Sequence, residues 1–260
     1  MWLIIGGIIL YFAYFSIIYL IAKRKGNYGY VDIAWGFGFV VYVFFATAYR
    51  FQTSDHILIS QAVCFIVVIL WGLRLFIHVM LRNYGKPEDF RYQNMRKKWE
   101  GKHPGLKAYV NIFLLQALLA YIVSLPITMV FISDSEKSVV TAYIGLAISL
   151  LGLTLETISD AQLGIFRKNP ESRGHVMTEG LWKYSRHPNY FGETVVWWGL
   201  FIGVFLSDFG AYSLLSPLII TYLLLYVSGV PLLEKHYEGN PEYEEYKHRT
   251  SVFFPLPPKK

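Results

Sequence analysis

Seven stretches of this chain carry too little charge to sit in water, and each is long enough to cross a bilayer. They run over residues 2–22, 31–49, 57–81, 109–132, 139–166, 190–206 and 211–233. A hydrocarbon layer of about 30 Å needs about 20 apolar residues in helical form. In lipid a lone segment satisfies its own backbone only as a helix. The pattern therefore predicts an all-α, polytopic membrane protein with about seven transmembrane helices. Only 16% of the residues are charged, against about 25% in soluble globules. The first run is too long and aromatic for a cleaved leader and lacks a basic start, so it reads as the first span. With no repeat, low-complexity segment or long linker, residues 1–260 read as a single integral membrane domain.

The loops give the orientation. Lys23, Arg24 and Lys25 lie in the first loop. Eight basic residues from Arg82 to Lys107 lie in the third, five from Arg167 to Arg186 in the fifth, and five, including Lys259 and Lys260, in the tail. Together these are 21 of the 24 Lys and Arg residues. Arg50 and Lys137 fall on the opposite side, and Arg74 lies within a span. The positive-inside rule then places the N-terminus outside and the C-terminus in the cytosol, in a bacterial inner membrane or the endoplasmic reticulum. The net charge of +6 resides in short loops between spans. It reports orientation and contact with anionic headgroups of membrane lipids rather than nucleic acid. Cys64 stands alone, so no intrachain disulfide forms, and no Cys/His cluster suggests a metal.

Ionisable residues within spans are costly and point to function. Three stripes stand out. Arg74, His78 and Arg82 are spaced i, i+4, i+8 on the third run. Glu156, Asp160 and Arg167 share nearly one face of the fifth, and Asn189 and Glu193 are four apart on the sixth. All lie toward the basic side. Internal ion pairing between Arg74 and a carboxylate is the structural alternative. A polar ligand site with a basic rim is the functional one, and it suits a phosphate-bearing dinucleotide. Gly36-Phe37-Gly38 lacks the context of a dinucleotide fingerprint and reads as close helix packing. Asp32 and Trp35 read as an interfacial cap and anchor. Glu88 and Asp89 read as loop residues, with Arg91 as their partner.

The segment Gly180-Leu-Trp-Lys-Tyr-Ser-Arg-His-Pro-Asn-Tyr-Phe-Gly-Glu193 resembles the signature of the steroid 5α-reductase-like membrane enzymes. Within them it is similar to the subgroup long catalogued as a domain of unknown function. Related segments occur in sterol C14-reductases, and a looser form in isoprenylcysteine methyltransferases. The resemblance runs from about residue 71 to 255. It is carried also by Trp71 to Gly85, by Glu156 to Lys168, and by Glu244 to Pro255.

The resemblance implies NADPH as cofactor and reduction of a carbon–carbon double bond conjugated to a carbonyl. It assigns Asp160, Arg167, Asn189 and Glu193 to the cofactor. Arg74, His78, Arg82 and Asn83 border it, and Tyr246 corresponds to an aromatic near it. The glutamate that grips a steroid carbonyl has no counterpart, and Trp71 stands where its partner Tyr would be. The substrate is accordingly an apolar, enone-type lipid or steroid-like molecule. His78, Tyr42 and Tyr184 are candidate proton donors. No metal is expected. Two other readings remain open: an S-adenosylmethionine-dependent methyltransferase, and a non-enzymatic lipid-binding protein.

Overall fold

A computed structural model of the chain describes residues 1–101 and 103–259; Lys102 and Lys260, two of the basic residues counted above, lie outside them. The described residues form helices and loops, with no β-strand beyond one isolated bridge. The helices are α1 (Trp2–Lys25), α2 (Tyr30–Thr53), α3 (Ile59–Asn83), α4 (Phe90–Trp99), α5 (Pro104–Ala108), α6 (Leu115–Val123), α7 (Leu125–Phe131), α8 (Val139–Lys168), α9 (Pro188–Val204), α10 (Leu215–Tyr222), α11 (Val230–His236) and α12 (Pro241–Arg249).

Six helical stretches are long and apolar enough to cross a membrane: Trp2–Lys25, Tyr30–Thr53, Ile59–Asn83, Pro104–Val123, Val139–Lys168 and Gly210–Lys235. The run at 190–206 forms α9, whose 17 residues give about 25 Å of rise, short of a full hydrocarbon layer. Two runs are less regular than their hydropathy predicts. The run at 109–132 passes through a π-helical segment, Tyr109–Leu114, and then breaks at Ser124. Pro126 in the first turn of α7 lacks the N–H that a continuing helix would need. The last run is π-helical over Leu223–Val227 and breaks at Ser228 and Gly229 ahead of Pro231.

Charge separates the two ends of the bundle. At one end Arg50 of α2 donates to Asp134 (2.6 Å), Ser60 at the start of α3 donates to Glu136, and Lys137 meets Asp208 beyond α9 (2.6 Å). The other end gathers the basic loops. There α1 stops at Gly26, whose φ of 65° is the left-handed helix stop that glycine adopts without strain. The two ends of α9 meet opposite ends of the bundle. Asn189 reaches α8 at the basic end, and Asp208 accepts from Ser133 at the other.

Small residues let the helices approach closely. A Cβ on Gly152 of α8 would lie 2.6 Å from the Gly192 carbonyl of α9, and one on Gly192 would lie 2.5 Å from the Glu156 amide. Ser149 bridges the same seam by donating to the Val196 carbonyl (3.1 Å). Close backbone approach of this kind is how helices associate in lipid, where apolar side chains gain little by leaving it. Gly36 against Gly72 does the same for α2 and α3. Between the ends, Tyr11, Phe39, Tyr42, Trp71 and Trp197 form a buried aromatic core.

The loop after α3 folds into α4, a polar helix held at the basic end with Tyr92 buried beneath it. Asp89 is its N-cap and accepts from the Arg91 amide (2.9 Å) and side chain (2.9 Å). Arg91 and the Tyr92 hydroxyl also donate to Asp32 of α2. Thus Asp32 is a docking point for α4 rather than a cap of its own helix. Partial burial pushes the Asp89 carboxyl up, but the bonds from Arg91 outweigh it and hold the group below its ordinary range. A depressed carboxylate contributes stability above its unfolded value of about 4 and loses it as pH falls through the lower folded value. Asp89→Ala should therefore lower the amide protection of residues 90–99 by about 1 kcal/mol at neutral pH. Wild-type protection, corrected for intrinsic exchange, should approach that of the variant in acid.

Candidate functional site

The three polar stripes meet where α3, α8 and α9 pack at the basic end. Arg74 is the hub. Its guanidinium forks onto the Glu156 and Asp160 carboxylates, one turn apart on α8, and donates to the Glu156 carbonyl (3.2 Å). Its planar donor fork suits two carboxylates at that spacing. Asp160 accepts on its other oxygen from the Asn189 amide of α9 (3.0 Å), and His78 Nε2 lies 3.5 Å from Asp160. Three side chains from two helices, α3 and α9, thus converge on one carboxylate of a third. Glu193, one turn along α9 from Asn189, is buried and makes no hydrogen bond or ion pair among the described residues.

The cluster is incompletely satisfied. Glu156 Oε2 and Asn189 Oδ1 are buried acceptors without a partner. The indole N–H of Trp71, an unpartnered donor, acts on Glu156; buried polar groups are nearly always paired, so Asn189 Oδ1 marks a place for a donor from outside the chain. Three carboxylates surround Arg74, and the centre is acidic if all of them are ionised. Such a centre favours amide donors or a cation and repels phosphate. The His78 side chain remains 32% exposed, so the cluster is not sealed. On the inner side lies the aromatic core, with Trp71 against Trp35 (6.0 Å between centroids) and Trp197 (4.9 Å).

Arg167 does not join this cluster. Seven residues place it about 10 Å further along α8, exposed, on a cleft of about 410 Å³ lined also by Leu163, Phe166, Arg173, His175 and Asn240. Its lining combines Arg167 and Arg173 with the carboxylate of Glu238, and His175 faces Glu242 (3.4 Å), which leaves the cleft mildly basic. Arg82 is exposed and donates to Asn83 (3.3 Å) at the end of α3, so neither contacts Asp160.

The tyrosines are placed differently from expectation. Tyr42 lies deep in the aromatic core, with its hydroxyl on Thr128 (2.6 Å) and its ring near Tyr11 and Tyr121. Tyr184 is exposed, and its carbonyl accepts from the Leu256 amide (3.0 Å). The Tyr246 hydroxyl is committed to the Trp182 and Ser185 carbonyls (2.5 and 3.2 Å). Burial raises its pKa above that of a free phenol. Only His78 of the three candidate donors stands beside the charged cluster.

Arg186 and His187, central to the sequence signature, act as a joint. Arg186 donates to Glu234 (2.9 Å) and to the Lys247 and Thr250 carbonyls (3.1 Å each). His187 meets the same Glu234 (3.3 Å) and stacks on Tyr190. Burial pushes the His187 pKa down, with Glu234 opposing it. The chain beyond α12 straps the joint: Ser185 bridges to Ser251, and its hydroxyl donates to the Phe253 carbonyl (2.7 Å). This fixes the entry to α9, and with it Asn189. Glu234 as the shared counter-ion was not legible in sequence, because 48 residues separate it from Arg186.

No group of three or more potential metal ligands occurs among the described residues. A family model described as a protein of unknown function (DUF1295) matches residues 18–250. An uncharacterized protein of Schizosaccharomyces pombe is 26% identical over 218 residues, which are 72% of this chain and 60% of that protein. The chain thus spans less than two thirds of the length of this curated relative. No solved structure matches.

Proposed function

The chain belongs to the DUF1295 family, and from that premise we propose that it is an NADPH-dependent membrane oxidoreductase that reduces a carbon–carbon double bond of an enone-type lipid. The observation that carries this reading is the convergence of Arg74, His78 and Asn189 on Asp160, with the Asn189 Oδ1 acceptor orphaned beside it. The resemblance to the 5α-reductase-like enzymes assigns Asp160 and Asn189 to the cofactor and sets Arg74 and His78 at its border. We further propose seven crossings, because the ends of α9 meet opposite ends of the bundle. The basic end then faces the cytosol.

The side chains fit NADPH. Asn189 would accept from its carboxamide N–H, and Arg167 and Arg173 would hold its phosphates. When bound, NADPH supplies the reducing hydride. The chain's own work is positional. Arg74 holds Glu156 and Asp160 in register, Asp160 orients Asn189, and the α9 joint fixes the depth of both. His78 is the proton donor in this reading, being the titratable group nearest Asp160 that retains access from outside. The aromatic core excludes water on the inner side.

Binding of NADPH by the detergent-purified protein tests this reading. Arg167→Ala should weaken it about 10- to 100-fold, the loss of one charge-assisted bond to phosphate. Asp160→Asn should weaken it while Arg74 keeps Glu156. Saturable binding of S-adenosylmethionine without NADPH would support the methyltransferase instead. Absence of both, with folding but no turnover changed in Glu193→Gln, would support the non-enzymatic reading.

A further inference from the structure

We infer that the α4 hairpin is a binding surface for anionic phospholipid headgroups of the bilayer that the helices span. The inference concerns α4 and the α1–α2 loop, and it does not rest on the reductase reading. The hairpin links α3 to α5, each continuous with a span, so α4 is held near the plane of the headgroups. Its internal charges are already accounted for. Glu88 accepts from Arg96 (2.8 and 3.1 Å) and from the Tyr28 amide (2.7 Å), and Arg96 also covers the Tyr28 ring at 3.7 Å. Asp89 and Asp32 are occupied by Arg91 and Tyr92.

These bonds consume Glu88, Asp89 and Asp32, so that Glu100, exposed at the end of α4, is the carboxylate left facing the cations of the hairpin. Lys86, Lys97 and Lys98 on the hairpin, and Lys23, Arg24 and Lys25 at the end of α1, are exposed and pair with no carboxylate among the described residues. The Glu88–Tyr28 and Asp32–Arg91 bonds bring the two groups of cations side by side. Apolar side chains flank the hairpin's cations along the chain: Leu81, Tyr84, Phe90 and Leu106 are all more than half exposed. Cations beside exposed aromatic and aliphatic groups suit a headgroup phosphate with acyl chain below it. A nucleic acid or acidic protein would complement the charge but not these apolar groups.

On α4 the arginines are used within the protein and the lysines are left outside. The ion pairs of Arg91 and Arg96 fix the hairpin, and the compact ammonium groups meet headgroups of variable position. Each Lys near an anionic surface contributes about fivefold in affinity.

Cys64 is buried, so Met95→Cys offers a single accessible thiol on α4 for an environment-sensitive fluorophore. The labelled protein, in a zwitterionic detergent, is titrated with short-chain phosphatidylglycerol. A saturable signal is expected, with no such signal from phosphatidylcholine of the same chain length. The triple variant Lys86→Gln, Lys97→Gln, Lys98→Gln should raise the midpoint about a hundredfold, and three Lys→Arg changes at these positions should restore it. Lys247→Gln with Arg249→Gln removes two cations that already pair with Glu244 and Glu245, and should leave the midpoint unchanged. Equal response to the two lipids, saturation by inorganic phosphate, an unshifted triple variant, failure of the Lys→Arg changes to restore, or an equal loss in the control pair would each overturn the proposal.

Discussion

Arg74→Met is expected to yield little folded protein in mild detergent, and any that survives should melt far below the wild type. The substitution removes the cation that Glu156 and Asp160 share and leaves both carboxylates buried. Breaking one side of a buried ion pair costs about 3–5 kcal/mol, a large part of the ~5–15 kcal/mol that holds a typical domain together. The cost arises from stranded charge, not from lost packing, because Met fills much of the same space. Adding Glu156→Gln and Asp160→Asn to Arg74→Met should therefore recover most of the melting temperature. It should not recover NADPH binding, because the donors and acceptors would then be rearranged. A triple variant that folds and still binds NADPH normally would separate the cluster from the cofactor. Thermal unfolding followed by intrinsic fluorescence, with gel filtration for dispersity, reads the first effect. Titration with NADPH reads the second.

Gly152→Val should be nearly as damaging, for a different reason. A Cβ there meets the Gly192 carbonyl and the Val196 amide at 2.6 Å. Both are backbone atoms of α9, so neither can rotate away. The helices must separate, and overpacking of this kind costs about 1–3 kcal/mol or more. Separation also draws Asn189 from Asp160, now 3.0 Å apart, so NADPH affinity should fall even in the fraction that folds. Gly164→Ala is the control. It lies on the same helix with nothing within 4 Å of the added carbon, and replacing a helical glycine there should stabilise by about 0.5–1 kcal/mol. A Gly152→Val protein with unchanged melting and unchanged binding would mean that the seam does not set the geometry of the site.

Much of this architecture is legible in the residues themselves. Apolar runs locate the spans because lipid admits no other backbone solution. The spacing of Arg74 and His78, of Glu156 and Asp160, and of Asn189 and Glu193 identifies three faces, and those faces do meet. Helical periodicity fixes an angle around the axis, however, and says nothing about where a neighbouring helix ends. Arg167 shares the angle of Asp160 but lies two turns beyond the contact, in a separate cleft. Tyr184 and Tyr246 were near the right residues in sequence, yet one ring points into solvent and the other hydroxyl is used by backbone carbonyls. The breaks at Ser124 and Gly229 are invisible to hydropathy, because a kinked helix is as apolar as a straight one. The Arg186–Glu234 pair joins distant segments, and only the fold brings them together.

The length of α8 has a consequence for traffic. Its 30 residues rise about 45 Å, whereas the hydrocarbon layer is about 30 Å thick. With a hydrocarbon layer that begins at the capped start, Ser138, the oil would end near residue 158, one turn or less before Asp160. The charged cluster thus stands at the boundary between two solvents. In the proposed reaction the oily reactant slides in sideways without becoming wet, and the water-soluble one docks from above without entering oil. Neither has to leave the phase in which it dissolves, and they touch only along the seam where α3, α8 and α9 meet.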